Sequence, residues 1–344
     1  MAGLEGGRAK RATIHDVARV ANVAVGTVSR YLNGREVRSG NRARIERAIE
    51  EMSFSRNASA AFIRQDRSQF IGFLVPRYDE FHARLLERVV AALSRHGRAV
   101  IPLSHGDRES TLNEAFGFFS EQRVGAMIMS GDLDYQKLTR RIAASDLPVV
   151  LYNNDIRGLL VDRVLVDNVS ATKVAMRHLI NLGHEAIAFL AGRNGDSSAE
   201  EREAGYRATL YEAGIDFQDR YLVHGDWQFH GGYLGTQRLM SLDVPPTALL
   251  SANYLMTYGA LEWLKQAGID VPGSLSLISF DDCDLFRLLG DGITAISQPL
   301  DMISGSIVEM VRSRISDPDI SDIRKVTLRC ELVQRESTAK PSAK

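Results

Sequence analysis

Cysteine is scarce in this sequence of 344 residues, which contains only Cys283 and Cys330. The two form no CxxC pair and stand in no cluster with histidine, so the sequence supports neither a disulfide framework nor a zinc site. We expect both to be reduced thiols, as is usual in the cytoplasm. We also expect no metal site and no cofactor.

Long apolar runs are lacking as well. No stretch approaches the roughly eighteen uninterrupted apolar residues of a membrane span. The N-terminal segment MAGLEGGRAKRATIHD has no apolar core like that of a signal peptide. Charged residues make up 25% of the chain and hydrophobic residues 44%, which disfavours a disordered or fibrous protein. We therefore expect a cytoplasmic protein with two or three folding units.

The chain has almost no net charge, at −1, but its charges are unevenly distributed. Residues 1–69 carry thirteen Lys and Arg against seven Asp and Glu, a surplus of +6. The rest carries twenty-nine against thirty-six, a surplus of −7. A basic segment on an acidic body favours a polyanionic partner for that segment, although a charge excess can also be an ordinary solvated surface.

Residues 13–53 have the periodicity of three short helices. Thr13 is a candidate N-cap of the first helix, and the second runs from about Val25 to Leu32. Apolar residues recur at helical spacing in all three: Ile14, Val17, Ala18 and Ala21, then Val28, Tyr31 and Leu32, then Ile45, Ala48, Ile49 and Met52. Only three or four residues separate the first two helices, which is the spacing of a helix-turn-helix.

From Phe70 onward, short apolar runs alternate with helical stretches. The runs are FIGFLVP, AVIPLSH, GAMIMSG, VVLYNN, VLVDN, AIAFLAG, LVHGD, ALLSAN and LSLISFDD. This alternation predicts an α/β fold of parallel sheets covered by helices on both faces. The runs are too many for one compact sheet, so we expect two lobes with a junction near Val166 to Val169.

The first helical segment resembles a known family. Residues 13–34, TIHDVARVANVAVGTVSRYLNG, are similar to the headpiece of the lactose-repressor (LacI/GalR) family of bacterial transcription regulators. Further matching pieces follow in order: NASAAFI at 57–63, VDN at 166–168, LGHEAIAFLAG at 182–192, EREAGYRATL at 201–210, GDW at 225–227, FDD at 280–282 and ISQP at 296–299. The resemblance therefore covers nearly the whole chain.

The resemblance implies a repressor that binds a palindromic operator as a homodimer and responds to a small effector. It implies a helix-turn-helix headpiece at residues 1–56, a hinge helix at 57–68 and a two-lobed core, similar to a periplasmic binding protein, at 69–336. Lobe one would comprise about 69–166 and 300–327, and lobe two about 167–299 and 328–336. We expect residues 337–344 to be a disordered tail with no tetramerising function.

The same resemblance places the DNA-reading residues. Base readers would be Val25, Gly26 and Arg30, and phosphate contacts Thr27, Ser29 and Asn33, with Thr13 and Asn57 also in the DNA-binding set. A guanidinium can bridge two acceptors of guanine, which favours Arg30 as a base reader. The alternative is that Arg30 contacts only phosphate.

Three positions in this region depart from the family pattern. Asn22 stands where Gly is usual, and Asn tolerates a left-handed backbone. Ala24 stands where Ser is usual and cannot cap the recognition helix through its side chain. The third departure is Ile63 in the hinge, where Leu is usual. Ala60 and Ile63 would enter the minor groove, with Ile63 as a wedge. Ile63 could instead pack against the core, and the hinge segment could be a plain flexible linker.

Ligands of parallel α/β sheets bind at the carboxyl ends of the strands. Those ends carry a polar set with one large aromatic residue: Ser130, Asn153, Asn154, Arg193, Asp226, Trp227, Asn253 and Asp281. Such a set suits a hydroxylated ligand, because hydroxyls need donors and acceptors and a sugar ring can stack on an aromatic face. We therefore expect a carbohydrate-like effector.

By resemblance, Arg202, Asn253, Asp281 and Gln298 contact the effector, and Phe81, Asn153 and Trp227 lie near it. Arg202 could hold a pair of sugar hydroxyls or a carboxylate, or form a surface ion pair with Glu201 or Glu203. Asp281 and Asp282 would point to opposite faces of a strand, which disfavours a metal site. Tyr254 stands where the family commonly has Asp.

Enzyme motifs such as GxxxxGK[ST], GxSxG and HExxH are absent, and the eight histidines are scattered. We therefore expect a regulator that is not an enzyme. The alternative is a cytoplasmic small-molecule-binding protein, or an enzyme of carbohydrate metabolism, built on the same core. An exported binding protein is disfavoured by the basic N-terminal helices and by the missing signal peptide.

Overall fold

The computed structural model of the chain describes residues 12–32, 35–52, 54, 68–130, 136–317 and 319–342. It separates into two compact units, Met1–Asp66 and Arg67–Lys344. The N-terminal unit contains α1 (Ile14–Val20), α2 (Val25–Leu32) and α3 (Ser39–Glu51). These agree with the three helices predicted from the apolar periodicity.

A capping box starts α1. Thr13 Oγ1 accepts a hydrogen bond from the Asp16 amide at 3.3 Å, and the Asp16 carboxylate accepts one from the Thr13 amide at 2.9 Å. The prediction that Thr13 is the N-cap is therefore confirmed. The helices share a small apolar core made of Val17, Ala18, Ala21, Val28, Ile45 and Ala48.

The turn between α1 and α2 contains two of the three departures from the family pattern. Asn22 has a φ of +50°, in the left-handed region that asparagine tolerates better than most residues. The Ala24 carbonyl accepts hydrogen bonds from the amides of Thr27 and Val28, so Ala24 occupies the N-cap position of α2. Its methyl group cannot satisfy the remaining amides of the first turn.

The larger unit contains two six-stranded sheets. The first has the order β11-β5-β4-β3-β1-β2, and all its neighbouring strands are parallel. Its strands are β1 (Phe70–Val75), β2 (Ala99–Ser104), β3 (Ala126–Ser130), β4 (Val149–Tyr152), β5 (Asp162–Val166) and β11 (Lys325–Leu328). Its helices are α4 (Glu80–Ser94), α5 (Glu109–Glu121), α6 (Gln136–Ala143) and α11 (Leu300–Ser316). Helices α4 and α11 cover one face and α5 and α6 the other.

The second sheet has the order β12-β10-β9-β8-β6-β7, and only β12 is antiparallel to its neighbour. Its strands are β6 (Ile187–Ala191), β7 (Leu222–His224), β8 (Ala248–Ser251), β9 (Ser276–Phe280), β10 (Thr294–Ser297) and β12 (Glu331–Val333). Its helices are α7 (Asn168–Asn181), α8 (Ser197–Glu212), α9 (Phe229–Met240) and α10 (Tyr254–Gln266). Helices α7 and α8 cover one face of this sheet, and α9 and α10 the other. The predicted two-lobed α/β core is confirmed.

Three connections join the two sheets: β5 to α7, β10 to α11, and β11 to β12. Each lobe is therefore built from separate parts of the chain. Because the strands of each sheet are parallel, their carboxyl ends collect at one edge, where polar residues of both lobes meet.

The predicted disorder of the C-terminal tail is wrong for residues 337–342. The Leu277 amide donates to the Ser337 carbonyl at 2.8 Å, and the Ala339 amide donates to Ser276 Oγ at 3.0 Å. His178 Nε2 lies 2.9 Å from Thr338 Oγ1. The polar composition that suggested disorder is used for hydrogen bonds with lobe two. Residues 343 and 344 lie outside the described residues.

Candidate functional site

A cleft between the two lobes contains most of the predicted effector residues. Counted out to its opening, it has a volume of about 570 Å³. The predicted residues that line it are Phe81, Asn153, Arg202, Trp227, Asn253, Asp281 and Gln298. Ser130 is buried at the end of β3 and is not among the lining residues. The structure thus brings seven of the eight residues together, and their contact with an effector stays a prediction.

Arg202 lies in α8 with only 2% of its surface exposed. Its Nε donates to Asn168 Oδ1 at 2.9 Å, and its Nη1 donates to the Ala252 carbonyl. Its guanidinium carbon lies 3.5 Å from the centre of the Phe280 ring and 5.4 Å from that of Trp227. None of the hydrogen bonds between described residues uses Nη2, and Arg202 is one of the residues that line the cleft.

The alternative of a surface ion pair for Arg202 is wrong. Glu201 instead accepts a hydrogen bond from Asn168 Nδ2 at 2.8 Å, and Glu203 pairs with Arg207 at 2.7 Å. The spacing along α8 turns both glutamates away from Arg202, because adjacent helical residues do not face each other.

Asp281 supplies an acceptor to the same cleft. It accepts a hydrogen bond from Gln298 Nε2 at 2.6 Å, and burial raises the pKa of its carboxyl while the nearby Arg202 opposes that shift. Asp282 points elsewhere and forms a two-pronged ion pair with Arg335 at 2.8 and 2.9 Å. The two carboxylates do diverge, but they lie in the turn after β9 and not on the strand as predicted, because Asp281 has a φ of +69°.

Two acceptors in the cleft have no protein partner among the described residues. They are the buried atoms Asn153 Oδ1 and Gln298 Oε1. An unsatisfied buried acceptor costs about 1–3 kcal/mol, so such groups are retained where something other than the protein supplies the donor. Both atoms are therefore suited to ligand hydroxyls.

Trp227 supplies a large aromatic surface after β7. Its ring packs on the bare backbone of Gly192, where an added Cβ would lie 2.1 Å from the indole. Asp226 and Trp227 have φ values of +54° and +61°, a conformation that costs non-glycine residues about 1–3 kcal/mol each. The indole Nε1 of Trp227 donates a hydrogen bond to Asp196 at 3.4 Å. The strained backbone at Asp226 and Trp227 thus holds the indole in the cleft.

Sequence reasoning missed Asp79 and His82, which also line the cleft. Asp79 caps α4, and its Oδ1 lies 2.7 Å from His82 Nδ1. Burial raises the pKa of Asp79, but the hydrogen bond with His82 outweighs this and holds the pKa below its ordinary value. An aspartate three residues before the histidine could have predicted the cap, but not which side chains face the other lobe.

Ion pairs connect the two lobes at the cleft. Arg77 pairs with Asp107 within lobe one. Arg193, in lobe two, reaches Asp107 at 3.4 Å and Asp226 at 2.6 Å. Burial lowers the pKa of Arg193, but the two carboxylates raise it more, so the side chain stays cationic.

A buried carboxylate also joins the lobes. Asp196 caps α8 by accepting hydrogen bonds from the amides of Ser198 and Ala199, each at 3.0 Å. Its second oxygen accepts one from Asn154 Nδ2 of lobe one, also at 3.0 Å. Asp196 therefore joins the helix that carries Arg202 to the loop that follows β4.

In the N-terminal unit, Gly26 and Arg30 are exposed on α2, and Val25, Thr27 and Ser29 are half-buried. The Thr13 hydroxyl donates to Asp16 Oδ2 at 2.7 Å. The predicted DNA-binding residues Asn33, Asn57, Ala60 and Ile63 lie outside the described residues. Apart from Val25, the residues on the outward face of α2 are thus small or polar, as a major-groove helix requires.

A helix-turn-helix unit in one chain with a two-lobed core and a polar cleft defines a class of transcription regulators. The model of bacterial regulatory proteins of the lacI family matches residues 13–57, and that of the periplasmic binding protein-like domain matches 176–338. The chain therefore contains a DNA-binding domain of the lacI family and a periplasmic binding protein-like domain, and it is a DNA-binding transcription regulator. Within the described residues, no helix is long and apolar enough to cross a membrane.

Related proteins extend over almost the whole chain. The ribose operon repressor of Haemophilus influenzae is 29% identical, with 95% of this chain and 98% of the relative covered. The transcriptional repressor PurR of Photobacterium profundum is 27% identical, with the same coverage. A solved complex of the transcriptional regulator CelR with cellobiose matches with a TM-score of 0.73 and 25% identity, covering 95% and 100% of the two chains. The Lac repressor dimer bound to operator and an anti-inducer shares the fold, with a TM-score of 0.85, 24% identity and coverage of 96% and 100%.

Proposed function

We propose that this regulator is a repressor that binds a palindromic operator as a homodimer, and that a carbohydrate-like effector in the cleft controls its affinity for DNA. The observation that carries the effector assignment is the buried Arg202, which lines the cleft together with the acceptor Asp281 and the indole of Trp227. Residues 57–68 would be the hinge. It would act in the cytoplasm, where operator DNA is found, and have no enzymatic activity.

The charges of the cleft favour a neutral ligand over a carboxylate or phosphate. Its lining cations are Arg77, Arg193 and Arg202, and its lining carboxylates are Asp79, Asp107 and Asp281. Because the signs are balanced, an added anion would gain little net attraction. Hydroxyl groups, in contrast, can accept from Arg202 and donate to Asn153, Asp281 or Gln298. Relatives that act on the ribose operon or bind cellobiose support this choice.

The DNA-binding proposal is tested by selecting a randomised palindromic DNA pool with the full chain and with Arg30→Ala. If Arg30 reads a base, the variant loses about 1–3 kcal/mol of discrimination at one position of each half-site. If Arg30 contacts only phosphate, the selected sequence stays the same while affinity and its salt dependence fall. Arg47→Ala, which removes an exposed positive charge from α3, is the charge-matched control. Failure of the full chain to enrich any palindrome would contradict the proposal.

The effector proposal is tested by thermal shift with neutral sugars, sugar phosphates and sugar acids, followed by calorimetry on the compounds that bind. For a neutral sugar, Asp281→Asn should weaken binding about ten- to a hundred-fold, because a hydrogen bond to a charged acceptor contributes about 1.5–3 kcal/mol. Asp282→Asn is the neighbouring control, since its carboxylate pairs with Arg335. A response only to phosphates or acids would show that the neutral-ligand assignment is wrong.

A further inference from the structure

A hydrogen bond between the lobes lies directly beside the cleft. The hydroxyl of Tyr254, the first residue of α10, accepts a hydrogen bond at 2.9 Å from the backbone amide of Glu80, the first residue of α4 in the other lobe. Tyr254 is 5% exposed, and its ring meets that of Tyr258 edge-on at 5.5 Å. The phenol is therefore held in one position by its own lobe while its oxygen reaches the other.

The amide of Glu80 is one of the donors that a helix N-terminus leaves unsatisfied. Asp79 caps α4 within its own lobe by accepting from the His82 amide at 3.0 Å. Tyr254 satisfies the Glu80 amide from the opposite lobe. The start of α4 is thus capped from both sides of the cleft, and it is this turn that presents Phe81 and His82 to the cleft.

The same flank contains two more contacts between the lobes. The Asp284 amide donates to Glu80 Oε1 at 3.1 Å, and Arg84 Nη1 donates to the Asp282 carbonyl at 3.4 Å. Both partners lie just after Asp281 along the chain. In lobe one Glu80 precedes Phe81, and in lobe two Asp282 follows Asp281. On each side, a residue that contacts the other lobe is therefore next to a residue that lines the cleft.

We propose that Tyr254 is a positioning residue for the effector: its hydroxyl holds the first turn of α4, with Phe81 and His82, in the arrangement that grips the ligand. The proposal rests on the effector function of the cleft. Ligand binding between Asp281 and Phe81 then favours the arrangement of the lobes that this hydrogen bond stabilises.

The test compares Tyr254→Phe with Tyr258→Phe in the full chain. Both remove one hydroxyl from α10, but that of Tyr258 contacts Cys283 Sγ at 3.0 Å within lobe two. Residue-resolved amide exchange at Glu80 should rise about five-fold in Tyr254→Phe, as expected for the loss of a hydrogen bond of about 1 kcal/mol. Tyr258→Phe should leave it unchanged. Equal exchange at Glu80 in the two variants would overturn the proposal, whether or not any DNA or sugar binds.

A second pair of variants tests the donor of this hydrogen bond, the Glu80 amide. Glu80→Pro eliminates the amide at the first helical position, where proline is well tolerated, and the extended backbone of Asp79 (φ −95°, ψ 176°) suits a residue before proline. Glu80→Ala removes the same side chain and keeps the amide. With D-ribose or cellobiose, whichever binds the wild type, Glu80→Pro should bind about five-fold more weakly than Glu80→Ala.

The losses of sugar affinity caused by Tyr254→Phe and by Glu80→Pro should not add, because both substitutions break the same hydrogen bond. In the Tyr254→Phe background, Glu80→Pro and Glu80→Ala should therefore bind the sugar equally. A further five-fold difference there would show that the amide acts independently of Tyr254 and would contradict the proposal. If neither sugar binds the wild type, the exchange measurement still decides the role of Tyr254, separately from the effector assignment.

Discussion

The buried polar groups at the two ends of the lobe-one sheet differ in how completely the protein satisfies them. At the amino end, Asp162 accepts hydrogen bonds from Arg314 at 2.9 and 2.7 Å and from Arg324 at 2.9 Å through both its amide and its side chain. At the carboxyl end, Asn153 Oδ1 has no partner among the described residues. The carboxylate of Asp162 is fully paired and stabilises the fold, whereas the acceptor of Asn153 is left to bind a ligand.

Lobe two repeats the contrast. At the amino ends of its strands, His184 contacts Thr247 Oγ1 at 2.8 Å, Ser276 Oγ at 3.0 Å and the Ala339 carbonyl at 2.8 Å. At the carboxyl ends, Gln298 Oε1 has no partner in the described part of the chain. Substitutions at the amino ends should therefore change stability, and substitutions at the carboxyl ends should change effector binding.

The largest effect should come from Asp162→Ala. It removes a fully buried carboxylate that accepts hydrogen bonds from the half-buried Arg314 and Arg324, and the loss of a hydrogen bond to a charged group typically costs about 1.5–3 kcal/mol. Urea unfolding measures the loss. Asp301→Ala is the control, because its carboxylate is 90% exposed and its ion pair with Arg88 should contribute about 0–1 kcal/mol. Similar losses for both variants would contradict the contrast between the two ends.

An intermediate effect is expected from Gly192→Ala. The added Cβ would lie 2.1 Å from the Trp227 ring, so the indole must leave its position. We expect a shift in tryptophan fluorescence and about a two- to ten-fold loss of sugar affinity, because an aromatic contact contributes about 0.5–1.5 kcal/mol. Gly305→Ala in α11 meets no atom within 4 Å and should leave both unchanged. Unaltered fluorescence in Gly192→Ala would refute the role of Gly192.

The smallest effect should be a pH dependence of stability. Burial lowers the pKa of His184 below its ordinary value of 6.5, and burial lowers that of His178 in the same way. Below about pH 6.5 the unfolded chain takes up protons that the folded chain resists, so stability falls as the pH falls. Unfolding of the wild type and of His184→Gln at several pH values between 5 and 8 should show a shallower decline in the variant. An unchanged slope would show that His184 does not contribute.

The periodicity of the sequence was sufficient for the helix-turn-helix and for the two-lobed α/β core. It also placed four effector candidates at one cleft, because the carboxyl ends of parallel strands must share an edge: Asn153, Trp227, Asn253 and Asp281. Phe81, Arg202 and Gln298 were implied by the family resemblance. Ser130 satisfied the same rule, but its side chain is buried at the end of β3. The rule identifies an edge of the sheet and does not say which side chains reach the ligand.

What the sequence by itself determined is local: helix caps such as Thr13, the spacing of α1 and α2, the alternation of strands and helices, and motifs in family order. Only the tertiary structure decided which distant groups meet, as when Tyr254 caps the helix that starts at Glu80, or the polar tail bonds to Ser276. The physical reason is that periodicity and capping depend on neighbouring residues. A buried hydrogen bond depends on two surfaces that are brought together only after the chain has folded.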